Sequence, residues 1–151
     1  MGNTRNGSRR PVALHVARCK GTGMTSVVHN IAVDCADPFA LASFWSAVTG
    51  DPLSEEEHPG DPVAVLAMAN GVNLYFAQVP EPRAGKNRLH LCLRPSTPRD
   101  GEVDRLLALG ATLLHDRREP DGTGWAVLAD PEGNEFCVLR SAAEYAATSH
   151  R

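Results

Sequence analysis

The chain repeats itself, and the repeat limits the fold more than any other feature does. An offset of 62 residues lays Ala64-Val65-Leu66-Ala67 on Ala126-Val127-Leu128-Ala129, an identical tetrad, and brings Gly71 onto Gly133 and Asn73 onto Glu135. Adjustments of one and two residues in the loops bring His29 onto His90 and Gly50 onto Gly110, respectively. The His29–Asn73 and His90–Glu135 intervals are 44 and 45 residues, and the His29–Gly50 and His90–Gly110 intervals are 21 and 20. Each half is then one supersecondary unit that needs the other to bury its apolar face.

Local patterns predict the same elements twice. Val27 to Val33 alternates as a strand, with Val27, His29, Ile31 and Val33 on one face. Asp37-Pro38 opens a helix whose apolar stripe is Leu41, Phe44, Trp45 and Val48, and Gly50 stops it. Trp45 is thereby assigned to the core. A short edge strand ends at Glu55-Glu56-Glu57, and Val63–Ala69 and Val72–Val79 form a hairpin about Asn70-Gly71. After the linker-like Pro80 to Lys86 the order restarts. A strand at Leu89–Leu93 precedes a helix at Asp100–Leu109 that stops at Gly110, and strands follow at Thr112–Asp116, Trp125–Ala129 and Glu135–Leu139. The expected fold is α+β: two βαβββ modules, 26–79 and 87–140, forming an eight-stranded, cup-shaped mixed sheet with a helix behind each half. Residues 141–151 form an Ala-rich tail.

Composition narrows the function. A chain of 151 residues supports one domain (25–140), and a net charge of −3 leaves no basic excess for nucleic acid. No apolar run approaches the roughly 20 residues of a membrane span. Cys19, Cys35, Cys92 and Cys137 show no CxxC pairing, so reduced thiols in a cytoplasmic protein are expected. Residues 1–24 carry five cations and no acid, and are expected to be a disordered basic extension or the product of a start assigned upstream of Met24.

Glu135 is the residue in need of a partner. It heads the apolar run Phe136-Cys137-Val138-Leu139, directly after the turn Asp130-Pro131-Glu132-Gly133-Asn134, and an unpaired buried carboxylate is costly. The repeat places His29 and His90 on equivalent first strands, and Asn73 and Glu135 on equivalent last strands. Two imidazoles and a carboxylate on separate strands make a facial triad for a divalent metal.

These residues resemble the vicinal oxygen chelate superfamily of glyoxalase I, extradiol dioxygenases and bleomycin-resistance proteins. The likeness covers about Val27 to Arg140 and is greatest to small glyoxalase-like domains. In metal-dependent members it implies ligands at His29, His90 and Glu135, and a divalent ion (iron, manganese, zinc or nickel) that binds a small oxygenated substrate. Asn73 departs from the pattern, because glyoxalase I-like sites carry a fourth ligand, a carboxylate, there. Dioxygenases also need an acid–base His and a Tyr, for which His115 and Tyr75 are the candidates by residue type. Asn73, Tyr75, Cys92 and Trp125 are expected to line the cup; as small hydrophobes, Cys92 and Cys137 fit there. The resemblance supports a metal-dependent lyase, isomerase or dioxygenase, or a metal-free protein that sequesters a small molecule, and implies a homodimer.

Overall fold

Each half of the chain folds as a strand, a helix and then antiparallel strands, with the halves joined through 79–90. The computed structural model describes residues 26–149. The basic amino-terminal stretch, Cys19 and the last two residues lie outside that range. The first half contains β1 (Asn30–Cys35), α1 (Pro38–Thr49), β2 (Val63–Ala67) and β3 (Asn73–Gln78). The second contains β4 (Leu91–Leu93), α2 (Arg99–Ala108), β5 (Thr112–Arg118), β6 (Gly124–Ala129) and β7 (Glu135–Val138), and α3 (Ala142–Thr148) follows. The sheets run β1-β3-β2 and β4-β7-β6-β5. No helix among the described residues is long and apolar enough to cross a membrane.

The repeat holds residue by residue in the hairpins. Ala67 pairs with Asn73 and Leu66 with Leu74, as Ala129 pairs with Glu135 and Leu128 with Phe136. The first strands are displaced by one position from the sequence alignment. Asn30 pairs with Asn73 in parallel register, and Leu91 pairs with Phe136, which sets His90 beside Glu135. The counterpart of His90 is therefore Asn30, with His29 one residue before it. A one-residue slip exchanges the two faces of a strand.

Among the described residues seven strands form where eight were expected. The segment before Glu55-Glu56-Glu57 runs alongside β2 without becoming a strand. Its carboxylates stand in for ladder bonds: Glu57 accepts from the Val65 N–H at 3.1 Å and Asp51 from the Ala69 N–H at 3.1 Å. Pro52, Pro59 and Pro62 have no N–H to give a ladder, and acidic side chains along an edge discourage pairing with another chain.

The helices tie the halves into one core. Asp37 caps α1 by accepting from Ala40 N–H, and Gly50 ends the helix in the left-handed region at φ 80°. Trp45, 4% exposed, sets its ring 5.2 Å from that of Phe136 in β7, and Phe44 lies 6.5 Å from the same ring. The core assignment of Trp45 holds. Arg105 of α2 donates to Ala47 O and Val48 O, both at 2.9 Å, capping the carbonyl end of α1, and Glu102 holds the guanidinium in place.

The turn at 130–134 makes the second joint. Asp130, buried, accepts from the N–H groups of Glu132 and Asn134 and from the Trp45 indole at 3.3 Å. Glu132 accepts from Ala36 N–H at 2.7 Å and Asp37 N–H at 2.9 Å, so a carboxylate of the second half sits at the amino end of α1.

Gly124 and Gly71 both have positive φ but differ in their surroundings. A Cβ on Gly124 would lie 1.9 Å from Arg117 O, whereas one on Gly71 would meet nothing within 4 Å. Gly71→Ala is expected to cost about 1–2 kcal/mol, the left-handed penalty alone. Gly124→Ala should cost clearly more, because the β5–β6 backbone must also separate. Urea denaturation of the two variants checks the order.

Candidate functional site

Two cavities meet at Glu135. One is a crevice of about 620 Å³ between the edge strands β1 and β4, lined by Ile31 to Ala36 on one side and Arg83, Asn87 to Leu91 and Glu135 on the other. The second, about 390 Å³, lies on the open face of the second sheet and is lined by Lys86, His90, His115, Arg117, Trp125, Val127, Glu135 and Cys137. Strand alternation explains the open-face set. Phe136 and Val138 point to the helices and are buried, so Glu135 and Cys137 point the other way. Pairing brings Cys92 beside Cys137, Val127 beside Cys137, and His115 beside Val127.

The partner of Glu135 is a pair of cations. Arg83 Nη2 lies 3.0 Å from Oε1 and Lys86 Nζ 2.5 Å from Oε2, and the Glu135 side chain is only 11% exposed. Asn87 holds the arrangement together: its Oδ1 accepts from Arg83 Nε at 2.8 Å and from the Glu135 N–H at 3.4 Å. The hydrogen bond from Lys86 holds the Glu135 carboxyl below the usual carboxylate range; the charges of Lys86, Arg83 and, least, His115 act in the same direction. Arg83, Lys86 and Asn87 were not singled out from the sequence as site residues. The available signal was two cations three apart, in the linker just before His90 and β4.

The expected site residues divide into two groups. His90, Glu135, His115 and Trp125 line the second cavity together, and Cys92 lies on the same face. Asn73 and Tyr75 lie on the open face of the first sheet, half-buried, and line neither cavity. His29 is exposed ahead of β1 and lines neither cavity; its carbonyl accepts from Asn73 N–H at 3.3 Å.

The described residues do not gather His29, His90 and Glu135 into a ligand set. The one group of three or more His, Cys, Asp or Glu whose ligand atoms all lie within 4.8 Å of one another is His90, Cys92 and Cys137. The facial triad is not assembled in this geometry: His29 lies ahead of β1 and lines neither cavity with His90 and Glu135, and Glu135 is engaged by Arg83 and Lys86. Burial, followed by the adjacent Cys92 thiol, pushes the Cys137 thiol up to about 11.

Residues 30–139 match the glyoxalase-like domain family, nearly the whole of the described fold. The chain belongs to that family. Solved structures share the glyoxalase-like fold at low sequence identity. A glyoxalase/bleomycin resistance protein/dioxygenase family enzyme from Burkholderia phytofirmans PsJN is 21% identical with a TM-score of 0.59, over 75% of this chain and 97% of that one. A glyoxalase-related enzyme from Fulvimarina pelagi is 22% identical with a TM-score of 0.57, over 76% and 88%. The oxidase ChaP-H2 is 21% identical with a TM-score of 0.56, over 78% and 94%. No curated protein matches the sequence. The glyoxalase-like framework accounts for the two modules and the sheet face that carries the site, and so places the chain in the vicinal oxygen chelate superfamily.

The ion pairs of this glyoxalase-like site carry a pH signature. Because the folded carboxyl of Glu135 is held low, its contribution to stability is complete above the ordinary glutamate value of about 4.3 and is lost as pH falls through the lower folded value. Glu135→Gln should therefore lower Tm at neutral pH, and the gap to wild type should close below about pH 4. Calorimetry of both proteins across that range is the check.

Proposed function

We infer that this glyoxalase-like protein binds a small, oxygenated, anionic molecule in the cavity on the open face of its second sheet, as a sequestering protein. The observation that carries the reading is the double ion pair on Glu135. Where a metal-dependent relative would present a carboxylate to a cation, this chain has already neutralised it with Arg83 and Lys86. Lys86 and Arg117 then face one carboxylate in the lining, and His90 and His115 add two imidazoles. Such a surplus attracts an anion, and because these side chains are exposed the attraction is screened by salt.

The remaining lining suits an organic ligand. Trp125, 45% exposed, offers an indole face, Val127 an apolar floor, and about 390 Å³ lies within the range of small-molecule sites. A second reading, chemical transformation of the bound molecule, is favoured by His115 lining the same cavity as His90; it is the group placed to move a proton. Metal-dependent lyase, isomerase or dioxygenase chemistry through His29, His90 and Glu135 has less support, for the reasons of position and charge given above.

The reading includes a homodimer in the cytoplasm. Val27 and Val28 ahead of β1 and Leu89 ahead of β4 are exposed apolar residues at the heads of two edge strands that line one crevice, and a second copy would cover them. Light scattering should give the mass of two chains, and a monomer at micromolar concentration would remove this part of the reading.

Small carboxylates titrated against the full chain should quench the exposed Trp125 and raise Tm. Arg117→Ala should weaken binding at least about tenfold, or about 1.4 kcal/mol, and added salt should weaken it in wild type. Equal affinity for uncharged analogues, or an unchanged Arg117→Ala protein, overturns the proposal.

A further inference from the structure

We propose that His90, Cys92 and Cys137 form a binding site for a single thiophilic metal ion, with zinc as the natural occupant, on the open face of the second sheet. The three side chains are brought together by backbone register. His90 and Cys92 are two residues apart and so share a strand face, and the parallel pairing of β4 with β7 sets Cys137 directly beside Cys92 on that face. Their ligand atoms lie within 4.8 Å of one another. Tetrahedral zinc, with bonds of about 2.0 Å to nitrogen and 2.3 Å to sulfur, needs ligand atoms about 3.5–3.8 Å apart. Rotamer changes on two fixed strands can close that difference.

The donor set selects the metal. Two thiolates and an imidazole are soft and borderline ligands that suit zinc, whereas magnesium and calcium require oxygen. A Cys₂His set of three protein ligands leaves a fourth position open. His90 and Cys137 line the same cavity as Lys86, His115 and Arg117, so a fourth ligand would enter from there. The charges also balance: binding releases the two thiol protons, and two thiolates neutralise the divalent ion, so the metal adds no net charge next to the cations. Glu135, engaged by Arg83 and Lys86, is not needed as a ligand.

The site differs from the His29, His90 and Glu135 set implied by the family resemblance, and only His90 is common to both. It is also independent of the anionic-ligand reading, because its probe is the metal alone. Cys35 pairs within β1 against Gln78 of β3 in the first sheet and donates to Ala77 O, away from the group. Cys19 lies outside the described residues, so a Cys19→Ser chain serves as the background for the measurements.

The experiment is Co²⁺ titration of the reduced, metal-stripped full chain under anaerobic conditions, read by optical absorption, with zinc quantified in protein purified without an affinity metal. The expected result is one ion per chain, a thiolate-to-cobalt charge-transfer band and the intense visible absorption of tetrahedral cobalt. Cys92→Ser, at an exposed position that leaves the core intact, should lose the charge-transfer intensity in part and weaken binding at least about 100-fold, since outer-shell changes alone cost 10–100-fold. His90→Ala should weaken it comparably, while His29→Ala and Glu135→Gln should retain the band; circular dichroism verifies the fold of each variant. The proposal is overturned by the absence of a charge-transfer band in wild type, by a band that Cys92→Ser leaves unchanged, or by metal that His29→Ala and Glu135→Gln remove and Cys92→Ser does not. Recovery of a Cys92–Cys137 disulfide from cells lysed with the thiols blocked would overturn it as well.

Discussion

The joint between the turn at 130–134 and the start of α1 is the interaction on which the rest of the molecule depends. Two carboxylates with different tasks are involved. Asp130 is buried and uses its oxygens to close its own turn and to receive the Trp45 indole. Glu132 accepts the N–H groups of Ala36 and Asp37, where the positive end of the α1 dipole favours an anion. A half-sheet with one helix cannot cover itself. By anchoring α1 to the second half, this turn lets Phe44 and Trp45 pack on Phe136, and Arg105 completes the fit from the other end of the helix.

The same turn delivers Glu135 to the site, and the linker decides what Glu135 can do there. A carboxylate 11% exposed needs compensation, and two cations supply it through Arg83 and Lys86, with Asn87 fixing their geometry. The consequence is electrostatic. A position that could have offered negative charge to a metal becomes part of a surface with a surplus of positive charge, while two thiols of the same face, Cys92 and Cys137, lie two residue pairs further along the strands.

Much of this was legible in the residues. The identical tetrads marked hairpins whose registers match pair for pair, and the cap at Asp37, the stop at Gly50 and the stripe through Trp45 reappear as α1. The loss of the eighth strand was not legible, because the carboxylates of Asp51 and Glu57 replace backbone pairing at that edge, and a charge run gives no sign of such a substitution. The matching of His29 with His90 was one residue out. Both halves have a histidine near the first strand, but only β-pairing reveals that Asn30 takes the equivalent place.

The sequence by itself determined the module, its duplication and the positions of turns and caps, because these depend on spacing and on local backbone chemistry. Only the tertiary structure decided which polar groups meet. The ion pairs of Glu135 span 49 and 52 residues, the Trp45–Asp130 hydrogen bond spans 85, and the Cys92–Cys137 pairing depends on a strand register that could have slipped by one. Alternation gives each residue a face, but the registry between strands gives it neighbours, and registry is set by the packing of the two halves as a whole.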